Sequence, residues 1–95
     1  MYSKVYRITC SPGQADALLG HYDAHVVPAI KASEHHVGHH MIQTGADEWL
    51  LVSNYVSEDA ATISAPMVQE IVKPMAEQFG MQLEPVTQGD VNRSF

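Results

Sequence analysis

The chain has 95 residues, 45% of them hydrophobic, and carries a formal charge of −6 with only five Lys and Arg, scattered rather than striped. That composition describes one globular domain, offers no basic surface to neutralise the phosphates of nucleic acid, and contains no apolar run near the roughly 20 residues that a membrane helix needs. The opening residues MYSKVYRITC lack the apolar core of an export signal, which places the chain in the cytoplasm, and protonation of its six histidines would take the charge from −6 to about zero, so solubility should fall as the pH drops toward about 5.5.

Lys4 to Cys10 sets Tyr6, Ile8 and Cys10 against Val5, Arg7 and Thr9, the period-two pattern of a first strand. Cys10 is the only cysteine, so it forms no internal disulfide and reads as a small buried apolar residue. Ser11-Pro12-Gly13-Gln14 has the form of a capping box with proline at the first helical position, and predicts a helix start there. The inward stripe of that helix is Ala15, Leu18, Leu19, Tyr22, Val26 and Ile30. Pro28 deletes an amide donor and crowds the carbonyl of Ala24, which predicts a bend or a separated last turn.

Val37 to Thr44 and Trp49 to Val56 read as the second and third strands of a hairpin, with the turn between Thr44 and Glu48. Ser57 caps the next helix, and Glu58 and Asp59 in its first turn suit the helix dipole. Pro66 predicts a break and restart, and Pro74 a further kink. Met67, Ile71, Met75 and Phe79 recur every four residues beside Val68 and Val72, until Gly80 offers a left-handed stop. Met81 to Val91 completes the set as a fourth strand, irregular because Pro85 is tolerated only at an edge or a bulge.

Strand, helix, strand, strand, helix, strand is the ferredoxin-like βαββαβ plan, an α+β fold with one four-stranded antiparallel sheet and both helices on one side. In WLLVSNYV, Trp49, Leu51 and Tyr55 face one way and Leu50, Val52 and Val56 the other, so neither face is predominantly polar. Soluble monomers rarely expose a broad apolar patch, and no residues remain to cover the second face. The expected cover is a second copy of the chain, giving a homodimer built as a dimeric α/β barrel. Arg7 and Asn54 fall on that shared side, where pairing across the interface is the natural use.

Strand one running into SPG, and LLVSNYVSEDAA as a strand leading into an acid-capped helix, resemble the antibiotic biosynthesis monooxygenase family of dimeric α/β barrels over nearly the whole chain. The resemblance implies a small enzyme that oxidises aromatic substrates with molecular oxygen and no metal or flavin cofactor. Haem-degrading relatives use an Asn on strand one, a Trp ending strand three and a His on the following helix. The similar positions here carry Tyr6 and Tyr55, and the helix from Ser57 to Gly80 contains no histidine. The fold also hosts non-catalytic modules that bind or sense small molecules.

With Tyr6 facing the helices, strand pairing brings Trp49 and Tyr55 to the same side, and the first helix offers Tyr22 and His25 above them. These residues would line an aromatic cleft for a flat apolar molecule, or equally fill the core. A four-residue turn would set His40 opposite Ser53, on the cleft side, and His39 on the subunit side; a shift of one residue reverses the two. His21 and His25, one helical turn apart, invite a metal ion with His40 or Glu34 as third ligand, but without a recognised ligand motif the site is expected to hold no metal. The resulting expectation, whose chemistry rests on the resemblance, is a monooxygenase acting on a phenol or quinol. His25 or His40 would be the base, and Tyr6, Tyr22, Trp49 and Tyr55 would hold the ring. A non-catalytic binding or regulatory module of the same fold is the alternative.

Overall fold

A computed structural model describes all 95 residues. The strands are β1 (Tyr2–Thr9), β2 (His36–Gly45), β3 (Glu48–Tyr55) and β4 (Gln82–Asp90); the helices are α1 (Ala15–His21), α2 (Val27–Ala32) and α3 (Glu58–Phe79). The antiparallel sheet has the order β2-β3-β1-β4, with β2 and β4 at its edges. This is the α+β, ferredoxin-like arrangement expected from the element order, with both helical layers on one side.

Strand β3 shows why the helices sit there. Trp49, Leu51, Ser53 and Tyr55 are buried, whereas the alternating Leu50, Val52 and Asn54 are only partly covered. Each strand residue points opposite to its neighbours, so one face of β3 meets the helices and the other is left open. Paired across from it, Tyr2 and Ile8 of β1 join the buried side. Ile8, Leu18, Val26, Trp49, Leu51, Met75 and Met81 form the main core, and Tyr2, Tyr55, Ala60 and Ala61 a smaller one at the other end of the sheet.

Several local readings hold. The Ser57 hydroxyl accepts from the Ala60 amide at 3.0 Å, with Glu58 and Asp59 in the first turn. Pro85 lies on an edge strand beside a register shift at which Val86 has no partner in β1. Pro28 ends a helical irregularity: a π-helical turn, Tyr22–Val26, separates α1 from α2, and the loosened ladder falls on the carbonyls that the proline cannot serve.

Two local readings are corrected. Ser11 does not cap a helix; the Gln14 amide donates to the Ser11 carbonyl at 3.1 Å and Gly13 has φ +81°, so Ser11-Pro12-Gly13-Gln14 is a Pro-Gly turn and the helix begins at Ala15. α3 is not broken at Pro66 but runs unbroken for 22 residues through Pro66 and Pro74. Most helical stability in proteins comes from packing an apolar face, and here Val68, Ile71, Val72, Met75 and Phe79 hold the helix on the sheet across its prolines. No helix is long and apolar enough to cross a membrane.

Gly80 closes α3 with φ +63°, and the Met81 amide reaches the Met75 carbonyl at 3.4 Å. A Cβ at this position would collide with the Ser11 side chain, whose amide donates to the Phe79 carbonyl at 3.0 Å. Gly80→Ala should therefore cost about 2 kcal/mol in urea unfolding, through left-handed strain and steric conflict together. Ser11→Ala in the Gly80→Ala background should restore part of that loss. A fully stable single variant would show that the close approach does not constrain this junction.

Candidate functional site

The hairpin register decides which histidine enters the space between sheet and helices. Next to the turn, Gly45 lies opposite Glu48; continued without interruption, that register would place His40 opposite Ser53. Thr44 is instead an extra residue, so Gln43 faces Trp49 and the pairs from there to Gly38–Asn54 move by one. His39 thus lies opposite Ser53 on the helix side, and His40 opposite Val52 on the open side, correcting the placement expected from the sequence. Side chains brace the bulge: Thr44 Oγ1 donates to Glu48 Oε2 at 2.9 Å and Gln43 Nε2 to the Gly45 carbonyl at 3.1 Å. Only the glycine beside the turn hints at this bulge in the sequence.

Inside the cleft His39 is held at both ring nitrogens. Nδ1 lies 2.7 Å from the Tyr22 hydroxyl and Nε2 2.8 Å from the Ser53 hydroxyl. Burial, reinforced by His36 and His40, pushes the His39 pKa down from 6.5 to about 4. Burial, aided by Asp23 and Tyr55, pushes Tyr22 up to about 12, and burial with Tyr55 does the same to Tyr6. All three groups are therefore neutral at pH 7. A neutral imidazole carries one proton, so the chain Tyr22–His39–Ser53 runs in one direction or the other, with neither ring nitrogen free.

Tyr6, Tyr22 and Tyr55 line the cleft with His39 and Ser53, and 13 of the 15 lining residues are hydrophobic. The space between them is about 40 Å³, room for a few water molecules at roughly 10–15 Å³ each but short of the roughly 150 Å³ that accommodates benzene. Trp49 is buried in the core and does not line this space. Nor does His25, which the sequence reading placed above the cleft. It is exposed, stacks on His21 at 4.7 Å between ring centres, and borders a separate surface groove with Ile71 and Pro74. The helix turns away here because Val26, next in the chain, takes the buried position. No three or more His, Cys, Asp or Glu side chains gather to hold a metal ion, so His40 and Glu34 do not complete a site with His21 and His25.

His36 supports the pocket from its end. Its Nδ1 lies 2.9 Å from the Ser33 hydroxyl, and its ring packs against Tyr55 at 4.6 Å and His39 at 5.4 Å. Its buried Nε2 has no partner. Burial and neighbouring His35 lower its pKa. Cys10 stands outside the site, with its thiol pushed up by partial burial and by Asp47.

No protein-family model matches this chain, and no curated protein matches it significantly by sequence. Solved structures do match. A protein from Deinococcus radiodurans provisionally named an antibiotic biosynthesis monooxygenase aligns over 100% of this chain and 96% of its own, with TM-score 0.76 and 14% identity. SnoaB from Streptomyces nogalater, a cofactor-independent oxygenase, aligns over 98% and 94%, with TM-score 0.72 and 12% identity. A dimeric ferredoxin-like protein from an uncultured marine organism aligns over 99% and 96%, with TM-score 0.67 and 13% identity. The chain has the fold of the antibiotic biosynthesis monooxygenase-like proteins, as its element order and strand patterns suggested.

The partly buried His39 imidazole makes stability depend on pH. Folded, His39 stays neutral down to about pH 4; unfolded, it gains its proton near 6.5, so the unfolded state binds the extra proton between those values. The contribution is complete above pH 6.5 and declines as the pH falls toward 4, by about 2 kcal/mol after allowance for partial solvent access. Urea midpoints measured at pH 7 and pH 4.5 should differ markedly in the wild type and less in His39→Gln, the remaining slope coming largely from His36. Equal slopes in the two proteins would remove His39 as the source.

Proposed function

We propose that this chain is a small cytoplasmic oxygenase, working as a homodimer, that oxidises an electron-rich phenol or quinol with molecular oxygen and needs neither metal nor flavin. One observation carries the proposal: a neutral, partly buried imidazole set among tyrosine side chains in an otherwise apolar cleft. The fold shared with a cofactor-independent oxygenase supports it.

An apolar cleft disfavours a lone phenolate, so the substrate proton needs an acceptor beside it. His39 fills that role, and the phenolate then formed raises the imidazole's proton affinity above that of the empty site. A ring carbon that bears hydrogen, ortho or para to the phenolate oxygen, gives its electrons to O₂ and, with a proton returned from the imidazole, forms a hydroperoxide. Loss of water from that carbon leaves a ketone, so one oxygen atom enters the ring and the other departs as water. Tyr6 and Tyr22, protonated at neutral pH, can donate to the substrate or peroxide oxygens. Proton transfer of this kind is worth about 10²–10⁴ in rate. The rival reading is a binding module without turnover, favoured by the engagement of both His39 nitrogens with protein hydroxyls.

The second copy is proposed to cover the open face of the sheet, where Val5 lies opposite Val52, Arg7 opposite Leu50, and Ile42 is half exposed. On that face the Ser3 hydroxyl already donates to Asn54, which turns that amide toward its own subunit.

Oxygen consumption with a panel of hydroquinones, without added metal or flavin, is expected from the wild type and from His25→Ala and His40→Ala, and should fall at least about 10²-fold in His39→Gln. Retention of a hydroquinone with no oxygen consumed would establish the binding module instead. In sedimentation, the wild type should run as a dimer at micromolar concentration and Val52→Asp as a folded monomer. A monomeric wild type would end the dimer proposal.

A further inference from the structure

The cleft as described is doubly blocked: it is too small for a ring, and the imidazole has no free nitrogen. Both obstacles meet in one residue. Outside the cleft, between the first helical layer and the edge strand β2, runs an open groove of about 450 Å³ whose walls include Val27, Lys31, Val37, Gly38 and Met41. Tyr22, Ile30 and His39 line both the groove and the cleft. The Tyr22–His39 hydrogen bond is therefore a partition between a large outer chamber and a small inner one. Tyr22 is also the first residue of the π-helical turn, where the backbone ladder is already irregular ahead of Pro28. A helix interrupted there can shift its second part with less loss of hydrogen bonding than an uninterrupted one.

We propose that the groove along β2 is the outer chamber of the ligand site, and that a small, largely apolar molecule bearing a hydroxyl passes through it by displacing Tyr22 and taking its place on His39 Nδ1. The inference rests on the reading of the cleft as a ligand site. One motion of Tyr22 removes both obstacles, enlarging the inner space toward the groove and giving the incoming hydroxyl the nitrogen that the tyrosine held. The exchange is hydrogen bond for hydrogen bond, so the hydroxyl sets selectivity. A hydrocarbon of the same shape would leave Nδ1 unpaired, at a cost of about a factor of ten in affinity.

The probe is 1-naphthol, followed by stopped-flow fluorescence, with naphthalene as the hydrocarbon control. Wild type should bind 1-naphthol about tenfold more tightly than naphthalene. Tyr22→Phe, which removes the partition bond, should bind 1-naphthol faster by about fivefold, the equivalent of one hydrogen bond of about 1 kcal/mol. Val37→Trp, at an exposed position on the groove wall, should slow uptake at least tenfold by filling the groove. Lys31→Trp, exposed on the α2 side of the groove, repeats the test should Val37→Trp fail to fold. Wild-type uptake rates in a folded Val37→Trp or Lys31→Trp variant, or no binding of 1-naphthol to wild type and Tyr22→Phe alike, would overturn the proposal. Binding slowed by the groove variants, with no oxygen consumed, upholds this route while ending the oxygenase reading.

Discussion

The strict alternation of side chains along β3 is the constraint from which the rest of the molecule follows. Trp49, Leu51, Ser53 and Tyr55 must share a face, and three of the four are large enough to define a core. The helices cover that face because it is the one the aromatic residues occupy. Ser53, a small polar member of this row, leaves the gap and the hydroxyl that His39 uses. Replacing it by another large apolar residue would fill the cleft and leave the imidazole without its second partner.

Composition and pattern reveal the fold much more readily than the site. Caps, stops and proline positions act over three or four residues, so Ser57, Gly80 and Pro85 can be read directly from neighbours in the chain. The strand faces are legible for the same reason: parity along Trp49–Tyr55 needs no knowledge of what lies opposite. The site depends on parity between strands, and one inserted residue at Thr44 inverts it. Four histidines among His35, His36, His39 and His40 then offer two opposite answers, and the sequence favours neither. His25 failed for a related reason. Helical spacing places it at the edge of the apolar stripe, but its neighbour Val26, a stripe residue, takes the buried position and leaves His25 exposed. α3 shows the converse: local breakers at Pro66 and Pro74 are overruled by an apolar face long enough to bridge them.

The neutral state of His39 connects packing with chemistry. Water exclusion lowers its proton affinity, and the same exclusion strengthens any charge pair formed beside it. A partly buried imidazole held by two hydroxyls is consequently inert toward the protein's own groups and responsive to a ligand that delivers an acidic proton. His36, stacked against it and bonded to Ser33, ties this behaviour to the loop joining α2 to β2.

The two ends of the sandwich are built differently. At one, the Cys10 amide reaches the Asp47 carbonyl, the Ser11 amide reaches the Phe79 carbonyl, and Ser11 fills the space beside Gly80 where a Cβ would stand, so three connections of the chain are stitched together within a few residues. At the other, a six-residue helix and the Ser33–His35 loop close the structure over the histidines. Such a division lets sequence change in the short helix and its loop retune ligand preference while the junction around Gly80 preserves the architecture.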